Sequence, residues 1–227
     1  MATENLKGKI EEIIKDSFKE LEKIYLCCCD NQSMNTERGV IFPRYSKQNI
    51  RVSEQELRCV FIQKLCERGL HYSVETPTIK KYTFTDKDNP KVYDEKDSDC
   101  GESARIDLTI HDKNDLNKRL CIIEFKAHGG TSEHNYKKDL LKLYAEPDGS
   151  LRYFIQIFES FNGGTSNSVK DKLKNSSEYI INKYGQNVDT SIFDKVQCRF
   201  YSFKFGSAKY NNHNIYEKLL NDENNNS

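Results

Sequence analysis

The chain contains no tryptophan, carries no net charge, and has no long apolar run. Each absence narrows what it can be. Without tryptophan, the aromatic content rests on 13 tyrosines and 12 phenylalanines, mostly at strand positions, which suits a core better than a base-stacking platform. No stretch approaches the roughly 18 consecutive apolar residues of a membrane-spanning helix. The opening segment MATENLKGKIEEIIKDSFKEL is acidic and amphipathic, not basic then apolar as a secretory signal would be. The expectation is a cytoplasmic protein without membrane association. A balance of 35 basic and 35 acidic side chains excludes a broad, non-specific polyanion binder. It leaves room for a nuclease, in which an acidic metal site offsets basic residues elsewhere. Local basic patches are Lys118–Arg119, Lys137–Lys138 and the segment from Lys170 to Lys174.

Zinc spacing is also missing. The eight cysteines include a run at Cys27, Cys28 and Cys29, with Cys59, Cys66, Cys100, Cys121 and Cys198 scattered through the chain. There is no CxxC pair and no Cys/His ligand spacing. A disulfide framework is out of place in a long chain without a secretory signal, so these read as small core or incidental thiols. No internal repeat is visible.

What is present is an alternation of helical and strand patterns. Residues 4–27 place Leu6, Ile10, Ile13, Ile14, Leu21 and Ile24 at helical spacing. Residues 28–52 are polar and irregular. A second helix opens at Ser53, with Glu56 completing a capping box and Gly69 ending the helix. HYSVETPTIKKYTF reads as a strand interrupted by Pro77, and the acidic, turn-rich 85–103 as a loop. Two strands follow, RIDLTI and CIIEFKA, joined by HDKNDLNK. Then come a helix capped by Ser132, the strand LRYFIQIFES, the helix SNSVKDKLKNSSEYIINKYG and the strand VQCRFYSFKFG. The closing NNHNIYEKLLNDENNNS reads as a short helix or a polar tail. The partition is an N-terminal helix and irregular extension over 1–52 and an α/β unit over 53–227, together one compact body.

The two central strands carry charges where buried strands should have none. A charge there costs several kcal/mol unless it is paired, solvated or metal-bound. Side chains alternate along a strand, so Glu124 and Lys126 share one face with Ile122. On the preceding strand, Arg105, Asp107 and Thr109 share a face opposite Ile106, Leu108 and Ile110. A hairpin would set Asp107 beside Glu124, bringing two carboxylates and an ammonium to one end of the sheet. Mg²⁺ favours such a donor set, taking one or two carboxylates, water and phosphate oxygens. The metal acidifies a water, and a nearby lysine stabilises charge developing on phosphorus.

Asp107 in RIDLTI, followed by Glu124 and Lys126 in IIEFKA, resembles the motif of the PD-(D/E)XK nuclease superfamily. The element order over residues 53–206 resembles the restriction-endonuclease-like αβββαβ core of that superfamily. Arg105–Ile106 stand where the named motif has proline before its aspartate. The resemblance implies a mixed central sheet flanked by helices. It also implies Mg²⁺ (with Mn²⁺ as substitute) held by Asp107 and Glu124, and phosphodiester hydrolysis in nucleic acid, DNA above all, in restriction, defence or repair. It further implies a fourth site residue, a carboxylate from the preceding helix. At about 100° per residue, Glu54 falls near the stripe of Leu57, Phe61 and Leu65, whereas Glu56 falls away from it; Glu54 is therefore the expected third metal carboxylate. His128 lies on the Glu124 face, two positions beyond Lys126. Lys137 and Lys138 are the expected contacts to the nucleic-acid backbone.

Two other readings remain. One is a catalytically silent subunit of the same fold that binds nucleic acid or assembles a complex. The other is a nuclease that works only with a partner, or as a homodimer, through the N-terminal helix. For the active nuclease, alanine at Asp107, Glu124 or Lys126 is expected to abolish cleavage with little loss of folding.

Overall fold

The computed structural model describes residues 2–29, 39–44, 50–85, 89–93, 101–128, 132–160, 163–185 and 192–204. The expected polar tail, and much of the acidic loop and of 28–52, lie outside these residues. The architecture is α/β. Helices α1 (Ala2–Cys29) and α2 (Glu54–Glu67) precede strands β1 (His71–Thr83), β2 (Lys91–Tyr93), β3 (Glu102–Asp112) and β4 (Asp115–Ala127). Helix α3 (Glu133–Ala145) leads to β5 (Leu151–Ser160), and α4 (Gly163–Tyr184) with the short α5 (Ile192–Lys195) leads to β6 (Gln197–Lys204).

The strands form one six-stranded mixed sheet in the order β2-β1-β3-β4-β5-β6. The β2–β1–β3–β4 half is antiparallel, and β4, β5 and β6 run parallel, linked by α3 and α4. Parallel strands covered on both faces become continuously apolar. β4 and β5 follow this with two exceptions: Cys121, Ile122, Ile123 and Phe125, and Tyr153, Phe154, Ile155, Ile157 and Phe158, are buried, but so are Glu124 and Gln156.

Two cores sandwich the sheet. On one side, Ile10, Ile13, Ile14, Leu21 and Ile24 of α1 and Leu57, Phe61 and Leu65 of α2 meet Leu108, Ile123, Phe125 and Ile155. On the other, Tyr136, Leu140 and Leu143 of α3 and Val169, Leu173 and Ile180 of α4 meet Ile122, Phe154 and Phe200. The apolar stripe of α1, the docking element of the partner-dependent alternative, is spent inside the chain's own core. Polar ties reinforce it. Arg199 pairs with Glu11 at 2.6 Å, and Tyr25 donates to Glu159 at 2.8 Å.

Helix α2 shows how local sequence sets its ends. Ser53 is the N-cap in extended backbone, but its hydroxyl donates to the Glu56 carboxylate instead of accepting from a main-chain N–H. The capping box is thus a side-chain pair. At the other end, Gly69 takes φ 63°, its N–H donates to Cys66 O, and Leu70 N–H donates to Leu65 O. This is the left-handed glycine stop expected after such a helix.

Three elements differ from the sequence expectation. β2 forms within the acidic loop, pairing Lys91–Tyr93 with the end of β1. The polar link HDKNDLNK is mostly strand, with only Lys113 and Asn114 at the turn, where Asn114 N–H donates to Asp112 Oδ1. Ladder hydrogen bonds need no apolar side chains, so the pattern alone missed it. Pro77 does not interrupt β1, because it pairs opposite Arg105 and the irregularity falls after it, before Lys81. There Ile79 and Lys80 turn their N–H groups to the Glu146 carboxylate at 2.9 and 3.2 Å.

Candidate functional site

The site lies where β3 parts from β4. The antiparallel ladder runs Ile110↔Cys121, Thr109↔Ile122 and Leu108↔Ile123, and one further step would set Asp107 opposite Glu124. The ladder stops there. Phe125 N–H donates instead to Asp107 Oδ2 at 2.7 Å. On the other side of β3, Glu75 takes a left-handed φ of 51° between the pairs Val74↔Leu108 and Thr76↔Ile106. Asp107 thus sits between two breaks in regular pairing. The side chains re-aim across the breaks: Leu108 and Ile110 enter the α1–α2 core, whereas Ile106 enters the α3–α4 core. The expectation that all three share one face is corrected on this point.

Glu124 and Lys126 project from β4 toward α3, and α3 answers with two charges that the sequence reading did not single out. Asp139 Oδ2 is 2.5 Å from Lys126 Nζ, and Asp139 Oδ1 is 3.1 Å from Lys142 Nζ. Lys142 Nζ in turn lies 2.6 Å from Glu124 Oε1 and donates to the Arg105 carbonyl at 2.9 Å. The result is a chain of alternating charge, Glu124–Lys142–Asp139–Lys126. Glu124, Asp139 and Lys142 are all less than 5% exposed. Burial on this scale is tolerable only because each charge has an opposite neighbour.

Glu54 joins from the N-terminus of α2, on the other layer, close enough that Lys126, Asp107 and Asp139 all act on its carboxyl. Glu56 is occupied by Ser53. Asp107, Glu124, Lys126 and Glu54 are therefore brought together. Lys137 and Lys138 point elsewhere on α3: Lys137 pairs with Glu133 at 2.8 Å and lies 4.7 Å over the Tyr179 ring, and Lys138 lies over Phe84. His128, past the end of β4, takes φ 69° and its N–H donates to Ile157 O. Beside Lys126 in register, Gln156 donates to Tyr136 Oη at 2.6 Å and to His128 O at 3.0 Å, bracing the end of β4 against α3.

Electrostatics divide these groups. Burial pushes Glu54 and Asp107 above the ordinary carboxylate range; Lys126 opposes the rise at Glu54, and the Phe125 N–H opposes it at Asp107. Burial likewise drives Glu124 well up, against the pull of Lys142. At Asp139 burial also works upward, but Lys142 and Lys126 outweigh it and hold the carboxyl below its usual value. Burial works against the charge on Lys126, yet Asp139 overrides it and raises that pKa. Asp139 thus favours the ammonium form of Lys126.

The donors gathered here are carboxylate oxygens. Four carboxylates (Asp107, Glu124, Asp139, Glu54) meet two ammonium groups (Lys126, Lys142), and three of those carboxylates are pushed toward protonation. Oxygen-only ligands with surplus negative charge are what Mg²⁺ prefers. Among the described residues, no group of three or more His, Cys, Asp or Glu side chains is placed to hold a metal ion, and the two lysines lie among the carboxylates.

The signal for Asp139 and Lys142 was present in the sequence. Asp139 falls on the buried α3 stripe of Tyr136, Leu140 and Leu143, and Lys142 lies one helical turn further along. A charged residue inside an apolar stripe asks for a charged partner across the interface. No family model matches the chain, and neither a curated protein nor a solved structure matches it. No helix among the described residues is long and apolar enough to cross a membrane.

Proposed function

We propose that this chain is a metal-dependent nuclease of the PD-(D/E)XK kind, hydrolysing phosphodiester bonds in nucleic acid, with DNA as the favoured substrate. The observation that carries the reading is the meeting of Asp107, Glu124, Lys126 and Glu54 at the point where β3 leaves β4. The four come from three separate elements, β3, β4 and α2, and meet where the β3–β4 ladder stops.

Asp107 and Glu124, with Glu54 from α2, are the carboxylates that would hold Mg²⁺ or Mn²⁺. When bound, such a cation acidifies a water and shields the scissile phosphate. The protein's own contribution is distinct. Lys126, kept charged by Asp139, faces the site as a fixed cation for the negative charge that builds on phosphorus. Asp107 is oriented by the Phe125 N–H, so its second oxygen is aimed by the backbone. Lys137 and Lys138 offer charge to a backbone phosphate only from the flank of α3. If both strands of a duplex are cut, a second copy must meet a surface other than the buried stripe of α1.

The reading is tested by incubating the purified chain with plasmid, linear duplex, single-stranded DNA, branched DNA and RNA, in Mg²⁺, Mn²⁺ or EDTA. Cleavage of at least one substrate in metal and none in EDTA is expected. Intact substrates throughout, from a folded chain that binds them, would favour a silent nucleic-acid-binding subunit.

A further inference from the structure

Lys142 is a buried charge with close partners on every element around it. Its ammonium has three acceptors, Glu124 Oε1 at 2.6 Å, the Arg105 carbonyl at 2.9 Å and Asp139 Oδ1 at 3.1 Å, and its side chain is 4% exposed. Two of those acceptors are carboxylates, Asp107 acts on the same ammonium, and the third is a neutral main-chain oxygen. Three oxygens around one compact positive charge resemble the surroundings of a bound cation. The contact to Glu124 is the shortest of the three.

We propose that Lys142 is a resident cation of this site: it neutralises Glu124 and Asp139 when no metal is bound, and a divalent ion must displace it from Glu124. The inference rests on the proposed nuclease site and deepens it by naming how that site is regulated. A carboxylate oxygen cannot serve both an ammonium at 2.6 Å and a metal with full strength, because like charges so near repel. Metal and Lys142 therefore compete for Glu124. Lys126 does not take part in the exchange, since its partner is the other oxygen of Asp139. The exchange keeps the fold intact at low metal, where buried carboxylates without a cation would repel. It also sets a threshold, so that the site loads only when the divalent ion is abundant enough to outcompete a lysine tethered beside it.

The test uses Mn²⁺ affinity and thermal melting of the full chain, with no substrate. Lys142→Met removes the competitor, and at an effective dielectric of about 20 the loss of one nearby positive charge should tighten Mn²⁺ binding by at least about tenfold. In EDTA this variant should melt below the wild type, and Mn²⁺ should restore it, whereas Lys142→Arg should bind Mn²⁺ no tighter than the wild type. Binding to Lys142→Met that is unchanged or weaker would overturn the proposal, as would a melting loss that Mn²⁺ does not repair. If Lys142→Met does not fold under either condition, the wild type decides. The ¹⁵N signal of the Lys142 ammonium should shift or vanish as Mg²⁺ is added, and a signal unmoved at saturation would sink the idea. Cleavage is scored separately. Tight Mn²⁺ binding by Lys142→Met with no cleavage by any form keeps this exchange and removes the nuclease reading. Cleavage by the wild type with no gain in Mn²⁺ affinity does the reverse.

Discussion

The Phe125 amide donates to the Asp107 carboxylate at 2.7 Å, at the level where a continued ladder would have offered a main-chain carbonyl. One side chain therefore serves both the candidate chemistry and the sheet. Removing it should expose the second role. Asp107→Ala leaves a largely buried N–H without an acceptor and should cost about 1–3 kcal/mol of stability. Asp107→Asn keeps an acceptor oxygen and should cost less while still abolishing cleavage. Urea unfolding of the two variants beside the wild type checks this. Equal stability of Asp107→Ala and wild type would show that the hydrogen bond contributes nothing.

Lys126 and Asp139 should prove energetically coupled. Each single change leaves a buried charge with less compensation, and breaking a buried pair costs about 3–5 kcal/mol. Lys142 stands 3.1 Å from Asp139 and softens the loss at Lys126→Met, so Asp139→Asn should be the more damaging of the two. The double variant should be less destabilised than the sum by about 0.5–3 kcal/mol. A double-mutant cycle by chemical denaturation measures this, and strict additivity would mean the pair does not interact.

Glu146 ties the sheet to the end of α3. Its carboxylate is fully buried and accepts from Ile79 N, Lys80 N, Tyr82 Oη and Arg119. Glu146→Ala would strand these donors together with the Arg119 charge, and should cost about 3–5 kcal/mol. Its hydrogen-bond and ion-pair partners include neither Glu124 nor Lys126, so Mn²⁺ affinity of the folded fraction should be unchanged. A melting curve and a Mn²⁺ titration on one preparation test both halves.

Glu159 gives a pH dependence that can be signed. Burial pushes its carboxyl above the ordinary range, and the hydrogen bond from Tyr25 recovers only part of the shift. A raised folded value means that the folded chain holds this proton more tightly. Its contribution to stability is fully present below the unfolded value and is lost as pH rises through the folded one. Glu159→Gln keeps an acceptor for Tyr25 and removes the buried charge. It should melt higher than the wild type at neutral pH and match it below about pH 4, where the carboxyl of the unfolded chain is protonated. A variant that melts lower at neutral pH would contradict the sign.

Much of this arrangement was legible in the residues, for identifiable reasons. Long periodic segments set α1, α2, α3 and α4, because an apolar stripe at helical spacing has one way to be buried. The acidic residues inside RIDLTI and CIIEFKA stood out because a buried charge is costly, and Asp107 and Glu124 do meet at adjacent levels of a hairpin. Less legible was anything decided by three-dimensional neighbours. β2 is three residues long and exists only because the end of β1 offers an edge. The slip of Ile106 to the second core follows from breaks at Glu75 and Asp107 that no alternation rule encodes. Lys137 and Lys138 drew attention as an adjacent basic pair, yet adjacency in sequence is divergence on a helix. Asp139 and Lys142, one turn apart, reach Glu124 and Lys126 instead.

The most direct measurement is the single-turnover cleavage rate in Mg²⁺ of wild type, Asp107→Asn and Lys126→Met, each first shown to be folded. The account predicts metal-dependent cleavage by the wild type and a loss of at least about 100-fold in each variant, as expected when a group that stabilises developing charge is removed. Cleavage that survives EDTA, or that persists at the wild-type rate in folded Lys126→Met, would contradict it.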